Sequence, residues 1–116
     1  MAMNEYAGSC HCGNVRFEVQ ADLTGAGVCN CSICSRVGWV MVSVLPSQFR
    51  LLAGDAQTDY QFGRKAMHHL FCATCGIHAF GRYRADGQEK IVVNLRCVEG
   101  VDVEALEVQR FDGKSY

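Results

Sequence analysis

Apolar residues recur along this chain mostly at every second position. Val15, Phe17 and Val19 alternate with Arg16, Glu18 and Gln20, the pattern of a strand with one buried and one wet face. Val40, Val42 and Val44 alternate with Met41 and Ser43, and Pro46 ends that strand because proline cannot donate to a ladder. Further short strands are predicted at Phe49–Ala53, Thr58–Phe62 and Met67–Phe71, separated by Gly54-Asp55 and by Gly63. Ile77–Arg84 and Lys90–Leu95 flank Asp86-Gly87, a dipeptide suited to a tight hairpin turn. Leu106, Val108 and Arg110 predict a last strand before Asp112-Gly113. Helical periodicity is poor, amounting to a turn or two after Cys31 or Pro46. Many short strands with Gly-centred turns predict a mainly β chain of antiparallel strands.

Composition narrows the class. A chain of 116 residues has room for one core, so residues 1–116 read as a single domain. With 49% apolar and 20% charged residues, disorder is excluded. The net charge of -1, with signs mixed along the chain, lacks the basic surplus that phosphate binding needs, and no nucleic-acid partner is expected. The longest apolar run, Trp39–Leu45, is broken by Ser43 and falls far below the roughly 20 residues of a spanning helix, so no membrane partner is expected either. The first ten residues contain Asn4 and Glu5 and no apolar stretch, which reads as a cytoplasmic chain.

The cysteines change the picture. Eight of them form the pattern Cys10-x-Cys12, Cys29-x-Cys31-x2-Cys34, Cys72-x2-Cys75 and a lone Cys97. A framework of disulfides competes for an even count in a short chain. It fits poorly, because an oxidising compartment is not indicated and a bridge within C-x-C is strained. Tight clusters aim thiolates at one metal ion, and zinc takes four ligands in a tetrahedron. Cys72-Ala73-Thr74-Cys75-Gly76 is a knuckle in which Gly76 supplies a positive φ without a Cβ clash. Cys10-His11-Cys12-Gly13 follows the same logic. Redox chemistry at C-x2-C wants a βαβ setting that the periodicity does not provide. The triplet Cys29, Cys31 and Cys34 holds three ligands on one loop and leaves a fourth position open, or closed by Cys97 or a histidine. Spacing alone does not pair clusters with metals.

Gly8-Ser9-Cys10-His11-Cys12-Gly13-Asn14-Val15-Arg16-Phe17, Cys29-Asn30-Cys31-Ser32-Ile33-Cys34 and Phe71-Cys72-Ala73-Thr74-Cys75-Gly76-Ile77 together resemble the glutathione-dependent formaldehyde-activating enzyme / centromere protein V family. Phe111-Asp112-Gly113-Lys114 is similar to the family's ending. The resemblance implies a β-tent, two antiparallel sheets meeting near a structural zinc, and two zinc ions per chain. Cys10, Cys12, Cys72 and Cys75 would hold the structural ion. Cys29, Cys31 and Cys34 would hold a second, functional and more labile one. The implied activity is that of a carbon–sulfur lyase joining glutathione and formaldehyde as S-hydroxymethylglutathione. A non-catalytic zinc module and a glutathione carrier are the alternatives, as monomer or homodimer. This chain departs from many members in placing Ser35 before Arg36 after the triplet, and in ending on Tyr116 where Trp is common.

Glutathione has two carboxylates, so cations near the triplet matter, and Arg36, two residues past Cys34, is the first candidate, with Arg64-Lys65, Arg82, Arg84 and Arg96 as weaker ones. His68 and His69 are strand neighbours, so only one can face a given site. His78 is a strand histidine or an acid–base group, His11 reads as exposed, Trp39 as core or cleft wall, and Cys97 as a buried thiol.

Overall fold

The computed structural model describes residues 3–55 and 57–115; Tyr116, the expected closing aromatic, lies outside them. Ten strands run β1 (Asn4–Ser9), β2 (Arg16–Ala21), β3 (Gly27–Cys29), β4 (Met41–Val44), β5 (Phe49–Ala53), β6 (Gln57–Tyr60), β7 (Met67–Cys72), β8 (Phe80–Ala85), β9 (Gln88–Asn94) and β10 (Gln109–Phe111), with one short helix, α1 (Cys34–Val37). They form a three-stranded sheet, β1-β2-β5, and a seven-stranded sheet, β10-β3-β4-β9-β8-β7-β6. The chain is mainly β, in two sheets. Among the described residues no helix is long and apolar enough to cross a membrane.

Period-two alternation places the core. Phe17, Val19 and Ala21 are buried and Arg16, Glu18 and Gln20 exposed. Phe17 stacks on Phe49 with centroids 5.2 Å apart and meets Phe80 edge-on at 6.3 Å. These rings join the two sheets, with Val42, Val44, Ile91 and Val93 packed around them.

The other face of the larger sheet is also apolar. Cross-strand register aligns Ser43 with Val92, Val92 with Gly81, Gly81 with His69, and Tyr83 with Met67. Partners directly opposite share a face. Val92 buries there with Trp39 and Cys34, and Met41, Met67 and Tyr83 pack against them. The larger sheet therefore carries two apolar surfaces, and only one meets the smaller sheet.

Several elements depart from the expectations. β1 has few apolar residues and gives no alternating signal. It forms because Gly8 lies opposite Phe17, and a Cβ on Gly8 would collide with that ring and sit 2.9 Å from the Cys97 carbonyl. Ile77–Ala79 are not in a strand. Their backbone groups close the knuckle and support β9, with Cys72 donating to the Ile77 carbonyl and Asn94 to the Ala79 carbonyl, both at 3.0 Å. The last strand begins at Gln109, because Asp102 caps a 3-10 turn at Val103–Ala105 by accepting from Glu104 N–H at 3.2 Å. β10 pairs with β3 in parallel, against the expectation of an antiparallel sheet throughout. A long excursion separates the two segments in sequence, so they are free to align in the same direction. Turns do follow Cys31 and Pro46, as α1 and a 3-10 turn at Pro46–Gln48.

Gly8→Ala is expected to lower stability by about 1–3 kcal/mol, the usual cost of forcing an extra methyl into a packed core. The urea midpoint reads it; an unchanged midpoint would mean that the Phe17 ring moves aside freely.

Candidate metal centres

Cys10 and Cys12 lie on the loop between β1 and β2, while Cys72 ends β7 and Cys75 lies in the following turn. Cys10 N–H donates to the Val15 carbonyl at 3.0 Å, and Val15 N–H returns to Cys10 Sγ at 3.3 Å. Gly13 and Gly76 reverse the two loops at φ +84 and +79, where a Cβ would be strained. Asn14 Nδ2 donates to Thr74 Oγ1 at 3.2 Å and ties one loop to the other. The four sulfurs converge to within 4.8 Å of one another. Cys12 Sγ is 3.7 Å from Cys10 Sγ and 3.6 Å from Cys72 Sγ. A tetrahedron with zinc–sulfur bonds of about 2.3 Å has edges of about 3.8 Å, so the spacing suits a metal ion. It is also far too long for disulfides, and all eight cysteines are free.

Backbone donors favour the ionised form at Cys75 and Cys72 but not at Cys12, where the Asn14 N–H lowers the thiol and desolvation with the neighbouring sulfurs outweighs it, raising it to about 11. The N–H groups of Cys12, then Ile77, hold the Cys75 thiol down at about 6. Cys72 is also lowered, first by Cys75 N–H at 3.5 Å. Converging thiolates repel one another unless a cation sits among them. Cys97 lies beside this site but belongs to neither cluster. Burial, then Cys10 and Cys75, pushes its thiol up to about 11, and its sulfur faces the His78 carbonyl at 3.9 Å.

The triplet is assembled differently. Cys29 ends β3, Cys31 occupies the turn, and Cys34 opens α1. Gly38 stops that helix at φ 73, its N–H bonded to the Cys34 carbonyl. The three sulfurs lie within 4.8 Å of one another, and no fourth Cys, His, Asp or Glu among the described residues joins them. Burial raises the Cys34 thiol to about 12. Burial also pushes Cys31 upward, but the Cys34 N–H at 3.4 Å and the neighbouring thiols outweigh it, and the net shift is down.

A strap from the C-terminal end closes over this loop. Asn30 N–H donates to the Phe111 carbonyl at 3.2 Å, Asn30 Nδ2 to Asp112 at 2.9 Å, and Lys114 N–H to Asn30 Oδ1 at 3.1 Å. Gly113 passes so close that a Cβ would strike Cys29 Sγ and sit 3.1 Å from Cys31 Cβ. Sequence reasoning noted Phe111–Lys114 only through the family resemblance. Nothing in local pattern shows that residue 113 touches residue 29.

The family described as glutathione-dependent formaldehyde-activating enzyme matches residues 5–110. This chain belongs to that family. A crystal structure of a Rhodobacter sphaeroides protein, a structural-genomics target, is 35% identical, covers 90% of this chain and 98% of its own, and superposes with a TM-score of 0.80. The resemblance read from the three cysteine clusters is thereby established.

A formaldehyde-activating family named for glutathione makes the surroundings of the triplet decisive. Two hollows flank it. One, of about 480 Å³, is lined by Cys29, Cys34, Asn30, Arg96 and Arg110. The other, of about 800 Å³, contains all three cysteines and the apolar outer face of the larger sheet. Arg36 lines neither. Its guanidinium donates to the Ser32 carbonyl at 2.7 Å and borders a separate hollow with Val37, His78 and Asn94. From sequence Arg96 is a weaker candidate than Arg36, and Arg110 reads only as the end of the last strand; both are distant from the triplet along the chain. His68 pairs with Asp59 at 2.7 Å, while His69, on the opposite face, lines the larger hollow and is stacked on Phe62. His78 stacks on Phe71 at 5.1 Å and is held below its usual value by burial. His11 is exposed. Trp39 is buried and borders both hollows.

Two outcomes are expected. Cys75→Ser should give insoluble or unfolded protein, whereas Cys31→Ser should keep its strands and lose one equivalent of zinc, read by circular dichroism and metal analysis. A soluble Cys75→Ser chain with unchanged melting would refute the structural role. Gly113→Ala should loosen the strap and speed chelator removal of one zinc at least severalfold without lowering the melting temperature by more than a few degrees; equal rates would show the strap to be irrelevant.

Proposed function

We propose that this chain is a zinc-dependent carbon–sulfur lyase of the formaldehyde-activating type, acting on glutathione or a similar small thiol and a small carbonyl. One observation carries the reading: three sulfurs converge beside two hollows with no fourth protein ligand among the described residues. Family membership supports it. Cys10, Cys12, Cys72 and Cys75 would hold one ion as a brace between the sheets; Cys29, Cys31 and Cys34 would hold the second. The triplet would hold a zinc ion whose positive charge would favour ionisation of an incoming thiol, whose free pKa is roughly 8.5.

The chain's own residues then bind and orient. Arg96 and Arg110 are the cations offered to glutathione's carboxylates, whereas Arg36 borders a separate hollow. Arg96 Nε donates to the Gly38 carbonyl at 3.2 Å, and its Nη1 meets Glu104 Oε1 at 3.5 Å on the exposed surface. Trp39 and Val92 pack against the buried Cys34, with Cys29 and Cys31 half-buried beside them. Addition forms one S–C bond and breaks the thiol S–H, with the proton ending on the former carbonyl oxygen. Holding thiol and carbonyl together converts a bimolecular encounter into an oriented one.

Glutathione is expected to bind the zinc-loaded chain by calorimetry, and S-methylglutathione, with no ionisable thiol, to fail. Arg110→Ala should weaken glutathione by about 1–3 kcal/mol while leaving 2-mercaptoethanol unchanged. Exchange spectroscopy on formaldehyde plus glutathione should then be faster with intact protein than with Cys31→Ser. Equal background rates with intact binding would leave a glutathione carrier; no thiol binding would remove both.

A further inference from the structure

The larger hollow is much bigger than a one-carbon carbonyl requires. Its floor is the second apolar face of the seven-stranded sheet, built from Met41, Ser43, Val92, Tyr83 and Met67 in cross-strand register. Trp39 walls the end nearest the cysteines, and Phe62 and Phe111 stand at the rim, 41% and 53% exposed. Large aromatic residues left open around a concave apolar floor mark a surface awaiting a ligand.

Charge separates the two hollows. The smaller has Arg96 and Arg110 beside Cys29 and Cys34, with one acid, Asp112, which is engaged in accepting from Asn30 Nδ2 at 2.9 Å and Ser115 Oγ at 2.6 Å. The larger has Asp22 and Arg84 at its edge, and Asp22 is engaged in its own turn, accepting from Thr24 N–H at 3.0 Å and Thr24 Oγ1 at 2.8 Å. His69, 4% exposed, adds a stacked ring on the Phe62 side. Glutathione, with two carboxylates, is matched by the smaller hollow. An uncharged carbon chain is matched by the larger. The triplet borders both, so a sulfur held there would have its peptide on one side and its new carbon substituent on the other.

We infer that the larger hollow receives the carbon body of an apolar aldehyde, so that the chain handles glutathione adducts of alkyl or aryl aldehydes of several carbons, beyond formaldehyde. The inference rests on the proposed thiol site at the triplet. The step is R–CHO plus GS–H giving GS–CH(OH)–R. One S–C bond forms, the S–H bond breaks, the proton goes to the carbonyl oxygen, and nothing is oxidised or reduced. Each methylene laid on the apolar floor leaves water and strengthens the bound state.

Two measurements on the zinc-loaded chain test this. Calorimetry with ethanethiol, butanethiol and hexanethiol should give affinities rising about fourfold for each added methylene. Exchange spectroscopy with glutathione should give a larger rate enhancement over background for hexanal than for formaldehyde. Ser43→Phe, filling the floor from an exposed position, and Met67→Gln, nearly equal in size but polar, should each flatten both trends. Thiols that bind with equal affinity at every length would overturn the inference and leave the thiol site standing. If glutathione and every alkanethiol fail to bind, the proposed function and the inference fall together. A chain that sediments as a dimer, with Met67→Gln driving it to monomer and no chain-length trend, would assign the face to a second copy and likewise overturn the inference.

Discussion

Four sulfur atoms from loops some sixty residues apart crowd one corner of the molecule, within 4.8 Å of one another. One pair comes from the turn between the first two strands of the smaller sheet, the other from the end of β7 in the larger. Their loops are shaped for that meeting by two left-handed glycines and by backbone N–H groups spent on sulfur. Such donors stabilise charge on the thiolates, and the charge in turn demands a cation. The aromatic contact of Phe17, Phe49 and Phe80 joins the same two sheets from within. The sheets are thus joined by apolar packing at the centre and meet at one edge in four sulfurs placed to hold a cation.

That frame leaves the triplet at the opposite side of the larger sheet, under different constraints. There the sulfurs belong to a single loop and are held by a one-turn helix and a strap rather than by two strand ends. Cys34 is buried and strongly raised while Cys31 is lowered, a split also present in the four-sulfur site, where Cys12 is raised and Cys75 lowered. A four-sulfur corner suits bracing; a three-sulfur rim with cavities on both sides suits a ligand that comes and goes. The parallel pairing of β10 with β3 matters for that reason, because it carries Gly113 onto Cys29 and makes the end of the chain part of the rim.

Much of this was legible from local pattern. Alternation at Val15–Val19 and at Val40–Val44 marked two core strands, and β5 matched Phe49–Ala53 residue for residue, because one buried face imposes a period of two wherever it occurs. Cysteine spacing marked the pairs Cys10-Cys12 and Cys72-Cys75 and the triplet, since ligands that share a turn must be close in sequence, but it did not join the two pairs. β1 was invisible, because its place depends on a glycine beneath a distant ring and not on its own apolar residues. The ends of β8 and β10 were misjudged, because a knuckle and an Asp-capped turn claimed backbone groups that alternation alone would have given to strands.

By itself, then, the sequence determined the class of fold, the membership of each cysteine cluster and the chemistry such thiols favour, all properties of residues within a few positions of one another. Which clusters share a corner, that Cys97 joins neither, that Arg96 and Arg110 border the triplet and Arg36 does not, and that the larger sheet has a second apolar face were decided only by the tertiary structure. Each of these depends on strand order and register, and those are set by the simultaneous packing of segments far apart along the chain.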